Sequence, residues 1–121
     1  DEAQLADAVK ALKARGFLIA LDDFGQEGHS VHYDRLTALK PNIVKFDRSL
    51  IAGGSEARRY LLGRLVSAVH ALGATVVAEG VETEDEAQIA RDAGVDMLQG
   101  YLIGRPHGEL SEGRLPLAAN A

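Results

Sequence analysis

Four apolar runs in this chain each close on a residue able to do acid, base or ligand chemistry. Phe17-Leu18-Ile19-Ala20-Leu21 runs into Asp22-Asp23, and Ile43-Val44 leads to Lys45 and, two residues on, Asp47. Thr75-Val76-Val77-Ala78 ends at Glu79 with Glu82 close behind, and the run opening at Met97 carries Gln99. Asp and Glu offer the oxygen donors that hard divalent cations prefer. Such cations supply a deprotonated water near neutral pH. A lysine among the carboxylates can orient or deprotonate that water and balance the charge of an anionic transition state. An acid, a lysine or an amide at the same end of four successive runs marks that end as a candidate site.

Each position also has a plain structural reading. Asp22-Asp23 suits a turn or helix cap after a strand. Lys45 can snorkel from a strand end, and Asp47, two residues away on the same face, can be its partner. Glu82 fits the first turn of a following helix, and Gln99 fits a satisfied buried amide. Glu79 sits between Ala78 and Gly80, whose small size leaves room for close approach. The joint pattern carries the functional reading, because four strands in succession place such a residue at the same end. His29 and His32 lack a nearby third ligand and read as a solvated pair. His70 reads as surface, His107 carries no signal, and Arg58, Arg59 and Arg64 read as a solvated helix face.

The elements that position these residues alternate regularly. Leu5, Ala8, Val9 and Leu12 predict a helix over 2–14 that stops near Gly16. A strand over 17–21, a short helix over 31–39 ended by Pro41, and a strand over 43–47 follow. Ser55 is a predicted N-cap for a helix whose apolar stripe is Leu61, Leu65, Val69 and Leu72, ending at Gly73. Thr75–Ala78 is the third strand. Thr83 and Glu86 have capping-box spacing ahead of a helix carrying Ala87, Ile89 and Ala90 and closing at Gly94. The fourth strand is expected over 97–103, and the tail from about Gly108 is weakly patterned. The order α-β-α-β-α-β-α-β, with crossovers long enough for parallel pairing, predicts one α/β unit over 1–121. Site residues on every strand end favour a (β/α)8 barrel, since an open sheet binds at one switch point.

Composition narrows the class. The chain has 121 residues, 46% of them hydrophobic and 26% charged, no Cys, and a formal net charge of −5 from 13 basic and 18 acidic side chains. Thiolate metal sites and disulfide scaffolds are excluded, and the acidic balance argues against a general DNA or anionic-membrane binder. No apolar run approaches the roughly 20 residues that span a bilayer, so the chain is expected to be cytoplasmic. Opening on Asp1 rather than Met, it reads as a piece of a longer protein.

Four segments then carry a specific resemblance: Asp22-Asp23-Phe24-Gly25; Val44-Lys45-Phe46-Asp47-Arg48-Ser49-Leu50; Val77-Ala78-Glu79-Gly80-Val81-Glu82-Thr83; and Gln99-Gly100-Tyr101-Leu102 with Arg105-Pro106. In this order they resemble the EAL-domain family of cyclic di-GMP phosphodiesterases and their inactive relatives. The resemblance implies the second half of a (β/α)8 TIM-type barrel, four parallel strands with flanking helices. It implies hydrolysis of cyclic di-GMP to linear pGpG with a pair of Mg2+ or Mn2+ ions. It further implies Asp22, Asp23 and Glu79 as metal ligands and Lys45 and Glu79 as the catalytic pair. Asp47, Glu82 and Gln99 would support the site or touch the ligand.

The match covers only the second half of the family domain; the Glu-Ala-Leu tripeptide and further ligands of the first half are absent. The chain alone is therefore expected to be an incomplete site, inactive by itself. A half-barrel exposes two sheet edges, so partners are expected to be a second copy or the missing N-terminal half. The loop Gln26-Glu27-Gly28-His29-Ser30 departs from the family pattern. The alternative is a degenerate module that binds cyclic di-GMP or a protein partner without hydrolysis, or a half-barrel with no ligand at all.

Overall fold

The computed structural model describes residues 2–25, 33–100 and 119–120. Its elements are α1 (Glu2–Ala14), β1 (Ile19–Phe24), α2 (Tyr33–Leu39), β2 (Ile43–Phe46), a 3-10 turn (Arg48–Leu50), α3 (Glu56–Ala71), β3 (Thr75–Ala78), α4 (Glu84–Ala93), β4 (Met97–Leu98) and β5 (Ala119–Asn120). All pairings are parallel, and the sheet order is β4-β3-β2-β1-β5. From β1 to β4 each strand lies beside its successor, and the two-residue β5 pairs on the other side of β1.

The two faces of the sheet are different. On one, Ile19, Leu21, Val44, Phe46, Val76, Ala78 and Leu98 form a single core with helix residues such as Val9, Leu36, Leu62, Val69 and Ala90. On the other, Ala20, Ile43 and Val77 form a separate small cluster with Met97. A doubly wound sheet would carry helices on both faces. Helices on one face of consecutive parallel strands are the arrangement of half a (β/α)8 barrel, with the small cluster on its inner side.

Local chemistry accounts for the element ends. Ser55 caps α3 by accepting from the Arg58 N–H, and Thr83 caps α4 by accepting from the Glu86 N–H. Gly94 closes α4 at φ 93°, the left-handed conformation a side chain would strain. Asn42 ties three strands at the opposite end from the site. Its side-chain oxygen accepts from Ile19 N–H at 2.8 Å, its own N–H donates to Ile19 C=O, and its C=O accepts from Thr75 N–H.

The structure differs from the sequence reading in several places. β1 starts later, at Ile19, and continues through both aspartates to Phe24, leaving Phe17 exposed outside it. β2 ends at Phe46 because Asp47 turns away to cap the 3-10 turn. Helix α2 begins at Tyr33, and residues 31–32 lie outside the described set. The buried stripe of α3 is Leu62, Leu65, Val66 and Val69, not the expected set, and Leu61 is 56% exposed. Leu61 and Leu62 both fit helical spacing with Leu65, and only packing against α4 and the sheet decides between them. β4 is two residues long, and residues 101–103 are not described. In the tail, Ala119–Asn120 pairs with Ile19 and Ala20 as a short further strand. Among the described residues no helix is long and apolar enough to cross a membrane.

Candidate metal centre

Strand alternation builds the site. Ala20, Ile43, Val77 and Met97 occupy the inner face. Two residues beyond each stand Asp22, Lys45, Glu79 and Gln99, which the period of two assigns to that same face. The parallel ladder also continues one residue past the strands. Asp47 N–H donates to Phe24 C=O at 3.0 Å, Glu79 N–H to Phe46 C=O at 2.9 Å, and Gln99 N–H to Ala78 C=O at 2.9 Å. The backbone at the site is therefore held by the sheet itself.

Alternation alone would send Asp23 to the outer face. A bulge prevents this: Leu21 pairs with Val44 but Phe24 pairs with Phe46, so three steps on β1 match two on β2. Asp23 takes up the extra residue at φ 55°. Aspartate is among the few side chains that tolerate this conformation, and bulges commonly re-aim a side chain beside a functional site. The Asp23 N–H donates to the Asp22 carboxylate at 3.0 Å. As a result, Asp22, Asp23 and Glu79 each offer a carboxylate oxygen, and these lie within 4.8 Å of one another. β1 and β3 reach across β2 to form this group, and Lys45 rises from β2 between them.

The electrostatics follow from this crowding. Glu79 has its pKa pushed up to about 7, first by burial, then by its hydrogen bond with Asp22 and the negative charges of Asp22 and Asp23; the Lys45 ammonium opposes the shift. Three half-buried or exposed carboxylates converging with one lysine leave excess negative charge. All the donors are hard oxygens, which fits Mg2+ or Mn2+ and not a soft metal. The residues present therefore suit a divalent cation.

The remaining expected site residues stand apart from this cluster. The Asp47 carboxylate accepts from Ser49 N–H at 2.9 Å and caps the 3-10 turn. Glu82, 57% exposed at its side chain, pairs with Arg48 at 3.2 Å. Gln99 is exposed rather than a buried amide, and its main chain joins the site: its C=O accepts from Val81 N–H at 3.1 Å. The following Gly100 is required by this approach, since a Cβ there would lie 2.2 Å from the Val81 carbonyl oxygen. His70 pairs with Asp96 at 2.8 Å on the far side of the sheet, and Arg58 donates to the Ser49 carbonyl. His29, His32, His107, Arg105-Pro106 and the loop 26–30 lie outside the described residues.

Sequence reasoning did not single out Arg48, Ser49 or the buried role of Glu86. Arg48 reaches Glu86 at 2.8 Å, and the Ser49 hydroxyl donates to Gly25 C=O at 3.0 Å. The signal for Glu86 was present in the capping box, but here its side chain accepts from the Glu82 N–H rather than closing on Thr83 alone.

The chain matches the model of the EAL domain family over residues 1–106. It is 36% identical over 99 residues to the probable cyclic di-GMP phosphodiesterase PdeD of Escherichia coli (strain K12), covering 80% of this chain and 18% of that protein. Its fold is similar to the EAL domain protein of Listeria monocytogenes EGD-e, with TM-score 0.77 and 32% identity over 91% of this chain and 45% of that one. It is also similar to Klebsiella pneumoniae BlrP1 in its manganese/cyclic di-GMP complex, with TM-score 0.72 and 36% identity over 82% of this chain and 25% of that one. The chain thus spans under a fifth of PdeD and under half of the Listeria chain.

Proposed function

Because the chain belongs to the EAL domain family, we propose that it supplies half of a divalent-metal-dependent site hydrolysing cyclic di-GMP to pGpG. One observation carries this reading: the convergence of Asp22, Asp23 and Glu79 within 4.8 Å at the carboxyl ends of β1 and β3, with Lys45 between them. PdeD is named a cyclic di-GMP phosphodiesterase, and BlrP1 was solved with manganese and cyclic di-GMP, which supports the same substrate and cofactor here.

In this reading Asp22, Asp23 and Glu79 hold Mg2+ or Mn2+. When bound, the ions make a water acidic enough to deprotonate near neutral pH and screen the charge of the phosphodiester. Glu79, poised near neutrality, is able both to hold a cation and to exchange a proton. Lys45 orients the water and offsets negative charge developing on the phosphoryl oxygens. Asp47 and the main chain at Gln99 support the loops around the cluster. Glu82 does so through Arg48. We read the chain as a partial domain that acts in the cytoplasm and needs a partner, either the preceding half of the barrel or a second copy. The outer edge of β4 has no partner strand among the described residues, which supports that need.

The test is a calorimetric titration with cyclic di-GMP in Mn2+ and Mg2+, with pGpG assayed in the same sample. The expected result is cation-dependent nucleotide binding with little or no product from this chain alone, and product when the preceding half of the domain is added. Binding without product in both samples would favour a receptor module instead. Absence of Mn2+ binding would count against the metal assignment itself.

A further inference from the structure

The backbone of Glu79 is held by the ladder bond from its N–H to the Phe46 carbonyl, but the chain leaves the sheet immediately after it. Gly80 turns at φ 72°, and from there to Thr83 the chain lies outside any strand, tied to the end of β4 by the bond from the Val81 N–H to the Gln99 carbonyl. Arg48 crosses this segment. A Cβ on Gly80 would lie 3.2 Å from the Arg48 Cβ, so the arginine stem packs directly over the glycine. Its guanidinium donates to both oxygens of Glu86, at 2.8 and 3.4 Å, and meets Glu82 at 3.2 Å. Glu86 is 8% exposed and also accepts the Glu82 N–H at 2.8 Å. One arginine from the β2 turn and one buried glutamate from α4 thus enclose the whole segment that follows the ligand.

A two-toothed arginine–carboxylate pair fixes direction as well as distance. A buried glutamate needs such a partner, because an unpaired buried charge is strongly unfavourable. A surface ion pair of this sort would ordinarily contribute little, but here one side is buried and its second acceptor duty is to the main chain beside the site. We infer that Arg48 and Glu86 form a clasp that positions Glu79 for cation binding, acting through the Gly80–Thr83 segment and not by touching the cation. This rests on the reading of Asp22, Asp23 and Glu79 as a divalent-cation site.

The experiment measures Mn2+ affinity of the 121-residue chain by electron paramagnetic resonance, together with amide hydrogen exchange of the metal-free chain, for wild type, R48A and R48K. In R48A, Mn2+ affinity is expected to fall roughly tenfold, the low end of what loss of an outer partner of a ligand causes. The Glu82 amide is expected to lose protection while the inter-strand amides of Thr75 and Asp96 keep theirs. R48K, which keeps the charge and stem, is expected to recover part of both. Wild-type affinity and unchanged Glu82 protection in R48A would overturn the clasp. If the wild type itself holds no Mn2+, the cation reading fails separately. The clasp is then judged on exchange alone: selective loss of protection at Glu82 supports it, and none overturns it. R48K remains informative if R48A does not fold, since a variant that keeps the charge but loses the fork should still weaken both readouts.

Discussion

At the scale of single residues, the proposed cation site would exchange a proton for its metal. Glu79 titrates near 7 instead of 4.5 because burial and two neighbouring aspartates disfavour its charge. Cation binding requires the charged form, so protons compete with the metal below about pH 7. Mn2+ affinity is therefore expected to rise as pH climbs through neutrality, with proton release detectable by calorimetry in buffers of different ionisation enthalpy. E79Q should abolish both the release and most of the binding. The same shift has a stability consequence in the metal-free chain. A group whose folded-state pKa is raised binds more protons when folded, so its stabilising contribution is present at low pH and lost as pH rises. Thermal melts without metal should show stability falling between pH 4.5 and about 7, and E79Q should flatten that slope.

Glu86 shows the opposite sign. Burial works to raise its pKa, but the hydrogen bonds from Arg48 and the Glu82 N–H and the arginine charge prevail, holding it below 4.5. Its contribution is present above pH 4.5 and is lost as pH falls through its folded value. E86Q is expected to remove that part of the acid destabilisation, as read by denaturant melts from pH 6 down to 3, while leaving the neutral limb in place.

At the scale of elements, packing chooses between faces that the sequence presents as equals. Leu62 is buried at 1% exposure while its neighbour Leu61 lies open. L62A is expected to cost about 2–5 kcal/mol, as for large-to-small changes in cores. L61A should stay within about 0.5 kcal/mol, as for surface substitutions; chemical denaturation of the two variants reads the difference directly. The loop ends are equally specific. The Gly100 backbone sits against Val81, so G100A must push the end of β4 away from the Glu79 loop. It is expected to weaken Mn2+ binding as well as stability, measured on the same preparation.

At the scale of the whole molecule, the sheet is an incomplete circle. Among the described residues its inner cluster is Ala20, Ile43 and Val77 with Met97 against it, and the outer edge of β4 has no neighbour. Parallel strands are normally covered on both faces and paired at both edges. Sedimentation at micromolar concentration is expected to show self-association, or complex formation when the preceding half of the domain is added. A strictly monomeric mass under both conditions would count against barrel completion by either partner.

What the sequence determined by itself is the parallel α/β order, three of the four ladder strands to within a few residues, the caps at Ser55, Thr83 and Gly94, and the residue types of the site. These are local properties: alternation, turn chemistry and capping spacing depend on neighbours a few positions away. What only the tertiary structure decided depends on distant segments. The bulge that turns Asp23 inward exists because β1 must stay paired with β2 across an extra residue. The exposure of Leu61 and Gln99 reflects which face the sheet and helices cover. Arg48 and Glu86, 38 residues apart, meet because two consecutive strands lie side by side. Their spacing along the chain has no period that local patterning could read, whereas the fold brings them to 2.8 Å.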